Sequence, residues 1–130
     1  LTSLPTHRYI GSRVIELGSG PGLAGLLLAA LGANVVLTDI AKVLPLIQDN
    51  VDHNQLGRDH KKGQASGWCE VAELEWGAPG YEQVVTSLAD QAPADWIIAA
   101  DCTYIDNEGT SPSTPHFIRT CAMLCASSAK

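Results

Sequence analysis

The stretch "VIELGSGPGLAGLLLAALG", residues 14–32, decides how the chain is read. A short apolar run over residues 13–17 meets a loop with glycines at 18, 20 and 22, after which Leu23, Leu26, Leu27, Ala30 and Leu31 recur at helical spacing. Pro21 suits a first helical turn and Gly32 a C-terminal stop. Strand, glycine turn and helix in this order place backbone N–H groups and a helix N-terminus at the carboxyl end of a sheet. Open α/β folds bind ligands there.

The rest of the chain repeats the alternation. "NVVLTD" (34–39) is a second β-branched strand, and residues 41–54 predict a helix through Val43, Leu44, Ile47 and Val51, with Pro45 tolerable only in its first turn. A polar loop over 57–67 precedes a third strand, "WCEVAELEW" (68–76). Tyr81 to Gln91 predicts an amphipathic helix, "DWIIAAD" (95–101) a fourth strand, and Thr114-Pro115 an N-cap with Pro at N1 for a helix from His116 to about Ser127. Such a pattern builds right-handed βαβ units. The expected fold is α/β, a Rossmann-like, doubly wound, mostly parallel sheet. It forms one domain over residues 1–130, with about four strands present where such sheets have more.

Composition limits the function. The 130 residues are 45% hydrophobic and 17% charged, enough apolar side chain for one cored domain. A net charge of −6 argues against a surface built to grip nucleic acid or anionic lipid. The basic cluster from Arg58 to Lys62 reads as a solvated loop. Cys69, Cys102, Cys121 and Cys125 form no CxxC pair, and Cys121 and Cys125 with His116 lack zinc-ligand spacing, so no metal is expected. Cys121 and Cys125, four apart in a helical pattern, read as small buried core residues of a reducing compartment, and with the lack of a leader-like run they point to a cytoplasmic or nuclear address.

Two neighbours refine the ligand of the glycine loop. Read from Gly18, the run is GxGxG, with Leu23 where the dinucleotide fingerprint has its third glycine. Pro21 removes a donor that a pyrophosphate would use, and Glu16 at the strand end repels a dianion. An NAD-type oxidoreductase is disfavoured on these grounds. Asp39 closes the second strand where a carboxylate can accept both ribose hydroxyls, unless it caps the following helix instead. A ligand with an adenosine ribose, no phosphate and an ammonium for Glu16 is S-adenosylmethionine.

Together "VIELGSGPGLAGLLLAALGANVVLTD", "LPLIQDNVDHN", "ELEWG" and "DWIIAADCTY" resemble the seven-stranded, S-adenosylmethionine-dependent protein-lysine methyltransferases of methyltransferase family 16, also called methyltransferase-like family 21. Most class I methyltransferases share the glycine motif. The Leu74-x-Trp76-Gly77 element with Asp101-x-x-Tyr104 is more specific. The resemblance implies that Glu16, Gly18, Ser19 and Gly20 surround the methionine part of the cofactor and that Asp39 holds the ribose. It implies further that Trp76 lies against the adenine and that Ala100 lets the cofactor approach the backbone. Asp101 and Tyr104, catalytic, would orient a protein lysine beside the methyl donor. Trp76 could equally be a core residue, and Asp101 a turn cap. The implied partner is a protein substrate, such as a chaperone or an AAA-type ATPase, with no nucleic acid and no membrane, and the implied state is monomeric. The chain is expected to be the N-terminal part of the family's seven-stranded sheet. It has no Trp upstream of the first strand, where the family carries one. Another methyltransferase of this architecture, acting on a small molecule or a nucleic acid, and a non-catalytic binding module are the rival readings.

Overall fold

The computed structural model describes residues 6–60 and 67–128. Four strands form one parallel sheet: β1 (Arg13–Leu17), β2 (Asn34–Asp39), β3 (Trp68–Glu73) and β4 (Trp96–Ala99), in the order β3-β2-β1-β4. Four helices connect and follow them: α1 (Leu23–Ala30), α2 (Leu44–His53), α3 (Tyr81–Gln91) and α4 (Thr114–Ser128). The sheet grows outward from β1 through β2 to β3, and the chain then crosses back through α3 to place β4 on the other side of β1. This reversal is a topological switch point, and it lies between the carboxyl ends of β1 and β4.

Strand alternation makes β1 the two-faced centre of the molecule. Val14 points into one core with Val35, Leu37, Ala29, Ile47 and Val51, beneath α1 and α2. Ile15 and Leu17 point into the other with Val36, Val85, Leu88 and Leu124, beneath α3 and α4. Val14, Ile15 and Leu17 are fully buried, the near-continuous apolar run that a parallel strand covered on both faces requires. Each such side chain contributes about 1.5–3 kcal/mol on burial.

At the opposite, amino end of the sheet, the Arg13 guanidinium donates to the carbonyls of Leu88 (3.0 Å) and Ala92, closing the C-terminus of α3. The Arg13 backbone N–H donates to Asp95 Oδ2 at 2.8 Å, which fastens the start of β4 to that of β1.

The expected elements form, with shifted ends. Pro45 does fall in the first turn of α2. β3 stops at Glu73, three residues short of the expected Trp76, because Leu74 and Trp76 turn into the core shared with Phe117 and Tyr81. Thr114 does not cap α4 from outside: it is itself helical, and its hydroxyl pairs with Ser111 Oγ at 2.5 Å. A 3-10 turn, Thr6–Tyr9, was not expected; it lays Arg8 and Tyr9 against Trp96 at the edge of β4. Within the basic cluster Arg58 stacks on Trp68, 4.6 Å from its ring centre, and reaches Glu70 at 3.5 Å. Lys61 and Lys62 lie outside the described residues.

Candidate active site

Two cavities open at the carboxyl ends of the strands, and they share Gly18, Gly20 and Tyr104. The first, about 390 Å³, is lined by Asp39, Ile40, Val43, Leu74, Glu75, Trp76 and Ser113 besides the shared residues. The second, about 530 Å³, adds Glu16, Ser19, Pro21, Leu23, Ala24, Leu27, Ala100 and Asp101. All nine residues singled out from the sequence therefore meet along one cleft: Glu16, Gly18, Ser19, Gly20, Asp39, Trp76, Ala100, Asp101 and Tyr104. The linings contain no lysine, arginine or histidine and four carboxylates, Glu16, Asp39, Glu75 and Asp101.

Glu16 is 4% exposed and lies on the α1 face of β1 by strand parity with Val14. Its Oε2 accepts the N–H of Gly25 at 3.1 Å. Because the N-cap of α1, Gly22, has no side chain, this carboxylate from the preceding strand satisfies one of the helix's unpaired amides and faces its positive end. The partner that the buried carboxylate needs is thus backbone and not a cation. Burial raises the Glu16 pKa above the usual carboxylate range; hydrogen bonds from Ser19 and Gly25 oppose the rise, and the Asp39 charge adds to it.

Gly25 corrects the sequence reading. Gly20-Pro21-Gly22-Leu23-Ala24-Gly25 is a G-x-G-x-x-G run, so Leu23 does not break the fingerprint; the third glycine lies in the first turn of α1. A Cβ on Gly25 would stand 2.2 Å from Leu37 Cδ2 and 2.6 Å from Glu16 Oε2, so the helix can lie this close to the sheet only with glycine there. The signal was present in the spacing, but the run has to be counted from Gly20.

Asp39 does not cap α2, whose N-cap is Val43. Its Oδ2 accepts the N–H of Gly20 at 2.8 Å and its Oδ1 that of Ile40 at 2.7 Å, joining the glycine loop to the end of β2. Each carboxylate oxygen keeps a further lone pair, which leaves capacity for a ribose diol in the 390 Å³ cavity. Trp76 lines the same cavity, but its Nε1 is buried without a hydrogen-bond partner and its ring packs on Phe117 at 4.9 Å. The indole offers this cavity an apolar wall. Gly18 forms the floor between the cavities, where an added Cβ would lie 2.9 Å from Cys102 Sγ and 3.1 Å from Trp76. The chain could not close over this point if residue 18 had a side chain.

Asp101 is no cap. It has a left-handed backbone, φ 55°, just past β4, and its side chain is exposed at the cavity. Such conformations outside glycine are uncommon and cluster at functional sites. Cys102, without a contact of its own in the sequence reading, is the buried residue below: its thiol lies 3.2 Å from the Leu17 carbonyl and 3.4 Å from that of Ala100, tying the ends of β1 and β4. Tyr104 is 59% exposed at the meeting of the cavities. Partial burial, then nearby Cys102, Asp39 and Asp101, raise its pKa, so its hydroxyl stays protonated. Ile40, Val43, Glu75 and Ser113 were also not anticipated; Ser113 comes from the loop before α4, which no local pattern assigns to the site.

A carboxylate at the end of β2, an apolar wall and a second carboxylate beneath the glycine turn fit an adenosine carrying an ammonium-bearing substituent. The profile of the lysine methyltransferase family matches residues 2–128. The protein N-lysine methyltransferase METTL21A of Danio rerio is 38% identical over 96 residues, 74% of this chain and 38% of the relative. EEF1A lysine methyltransferase 3 of Mus musculus is 31% identical over 117 residues, 90% of this chain and 42% of the relative. The protein-lysine N-methyltransferase EFM6 of Saccharomyces cerevisiae is 31% identical over 107 residues, 72% of this chain and 38% of the relative. The chain thus spans about two fifths of the length of these relatives. With a switch-point cleft, a buried carboxylate under the glycine turn and a profile match over nearly all its residues, the chain belongs to the lysine methyltransferase family.

Proposed function

We propose that this chain carries the S-adenosylmethionine site and the methyl-transfer residues of a protein-lysine N-methyltransferase. The observation that carries the reading is the pair of cavities joined at Gly18, Gly20 and Tyr104, with four carboxylates and no cationic side chain in their linings. Asp39, Ile40, Val43 and Trp76 would hold the adenosine end, and Glu16, Ser19 and Ala100 the amino-acid end. The cofactor supplies a methyl group on a sulfonium, for transfer to an amine lone pair.

The remaining chemistry falls to the protein. A lysine at its ordinary pKa of about 10.4 is protonated at neutral pH and has no lone pair to give. The apolar walls Leu23, Ala24, Leu27 and Ala100 strip water from the lysine stem and lower that pKa. Asp101 draws the ammonium in and, exposed to water, passes its proton to solvent, while the protonated Tyr104 hydroxyl accepts a remaining N–H and fixes the approach of the freed lone pair. The acceptor in this reading is a protein. EEF1A, for which one relative is named, and chaperone or AAA-type ATPases are the substrates to present first. Action in the cytoplasm is part of the proposal, consistent with buried free thiols at Cys69 and Cys102.

The test is calorimetric titration with S-adenosylhomocysteine, followed by transfer of labelled methyl to those proteins. Cofactor binding is expected, and Asp101→Ala and Tyr104→Phe are each expected to lower transfer by about 10²-fold or more, the usual scale for positioned polar groups. Binding without transfer to any protein would favour a binding module, and no binding would refute the cofactor site.

A further inference from the structure

Among the described residues nine large apolar side chains are exposed, and they are not scattered evenly. Leu23, Leu27 and Tyr104 line the larger cavity, and Ile105, 74% exposed, follows Tyr104 in the chain. Exposed apolar side chains gathered beside a cleft mark an interaction site. The turn after Ile105 keeps that side chain in water. Asp106 N–H donates to the Thr110 carbonyl at 2.8 Å and Gly109 N–H to the Asp106 carbonyl at 3.0 Å, while Asp106 Oδ1 accepts the N–H groups of Glu108 (2.9 Å) and Thr110 (2.8 Å). The turn is closed by its own polar groups, and residues 106–111 include no apolar side chain that could cover the isoleucine.

We propose that Ile105, together with Leu23 and Leu27 of the same cavity, reads the residues beside the target lysine in the acceptor protein, and that those residues are apolar. Consecutive Cα atoms such as those of Tyr104 and Ile105 stand ~3.8 Å apart, and an extended chain advances about 3.3–3.6 Å per residue. A lysine that enters at Tyr104 therefore brings its own near neighbours in the chain against Ile105. Charge narrows the choice further. The segment 101–110 carries Asp101, Asp106 and Glu108 and no lysine, arginine or histidine, so an acidic neighbour is repelled. That the docked segment is a methyl acceptor rests on the function proposed above; its apolar character rests on the exposed patch.

The test is direct binding of the 130-residue chain, read by fluorescence anisotropy, to short labelled peptides of glycine and serine with one central lysine, flanked on both sides by leucine, by serine or by aspartate. The leucine-flanked peptide is expected to bind about tenfold or more tightly than the serine-flanked one, a difference of about 1.4 kcal/mol, and the aspartate-flanked one most weakly. Ile105→Ser should bring the leucine-to-serine ratio within about threefold of unity. Leu46→Ser, which removes an exposed leucine of α2 outside both cavities, should leave the ratio at its parental value. Circular dichroism establishes that each variant is folded, and should Ile105→Ser not be, Ile105→Thr, which keeps the β-branch, should lower the ratio in the same sense. Equal binding of the leucine and serine peptides by the parent, binding of neither, or a folded Ile105→Ser variant with the parental ratio would overturn the inference. Self-association of the parent in light scattering, abolished by Ile105→Ser, would overturn it too, because the patch then serves a second copy of the chain. A leucine preference with no transfer of labelled methyl to any of the peptides would uphold the docking surface and strike the methyl-transfer reading.

Discussion

Single side chains in this site are set by what lies across from them. Burial holds the Glu16 pKa above its ordinary value of 4.5, so the folded chain binds more protons than the unfolded one from there up to the raised value. Stability contributed by the protonated form is therefore lost as pH rises through that window. A cation beside Glu16 favours ionisation, so affinity for S-adenosylhomocysteine should rise with pH over the same window and level off above it; calorimetry at a series of pH values reads this, and a flat profile would remove Glu16 from the amino-acid end. The cysteines divide in the same way. Burial, with the Glu16 charge added, pushes the Cys69 thiol up to about 12, and burial also raises Cys102, whereas Cys125, expected in the core from its helical spacing with Cys121, lies on the exposed side of α4. Because the thiolate is the reactive form, mass spectrometry after brief maleimide treatment of the native chain should find Cys125 labelled first and Cys69 last.

Whole elements show where local preference yields to packing. α1 is apolar on every side, and yet Leu23 and Leu27 are 76% and 59% exposed, because that flank of the helix walls the larger cavity and does not face the core. Propensity alone would favour Ala at position 25 by about 1 kcal/mol. The methyl would collide with Leu37 and with Glu16, and such overpacking costs about 1–3 kcal/mol, besides moving the carboxylate that serves the helix start. Gly25→Ala should therefore destabilise by up to about 2 kcal/mol net in urea unfolding, the reverse of what helix propensity dictates. The Leu74-x-Trp76-Gly77 element has a similar logic. Gly77 has φ 86°, and a Cβ there would meet His116 Cδ2 at 2.6 Å, so the first turn of α4 sits directly on it.

At the scale of the molecule, the sheet is uneven. β1 lies between β2 and β4 with both faces covered, while β4 pairs only with β1 among the described residues and leaves Trp96 37% exposed beside Arg8 and Tyr9. An outer strand of this kind opens at lower free energy than a central one. Hydrogen exchange of the 130-residue chain should therefore show the amides of Trp96–Ala99 exchanging at least tenfold faster than those of Val35–Leu37, a difference of about 1.4 kcal/mol or more in opening free energy. Equal protection would mean that β4 and β2 open as one unit. Since Asp101 and Tyr104 follow β4 directly, the residues proposed to orient the acceptor would then rest on the more readily opened part of the sheet, and Glu16 and Asp39 on its central strands.

The sequence by itself determined the order of strands and helices, because each strand's apolar run and each helix's 3.6-residue spacing are local properties. It also brought nine of the cleft's lining residues into view, since a parallel sheet brings every strand's carboxyl end to one edge, and motifs at those ends must meet. Tertiary structure decided what depends on residues far apart in the chain. The Glu16 carboxylate finds Gly25 only once α1 lies down on β1, and Cys102 fastens Leu17 to Ala100 only once β4 has crossed beside β1. Ser113 reaches the cavity lined by Asp39 and Trp76, and the Trp76 Nε1 is buried without a partner, only through the packing of α4 and the loop before it. Periodicity registers which face a residue takes, whereas the identity of the atom opposite is fixed only when the layers close.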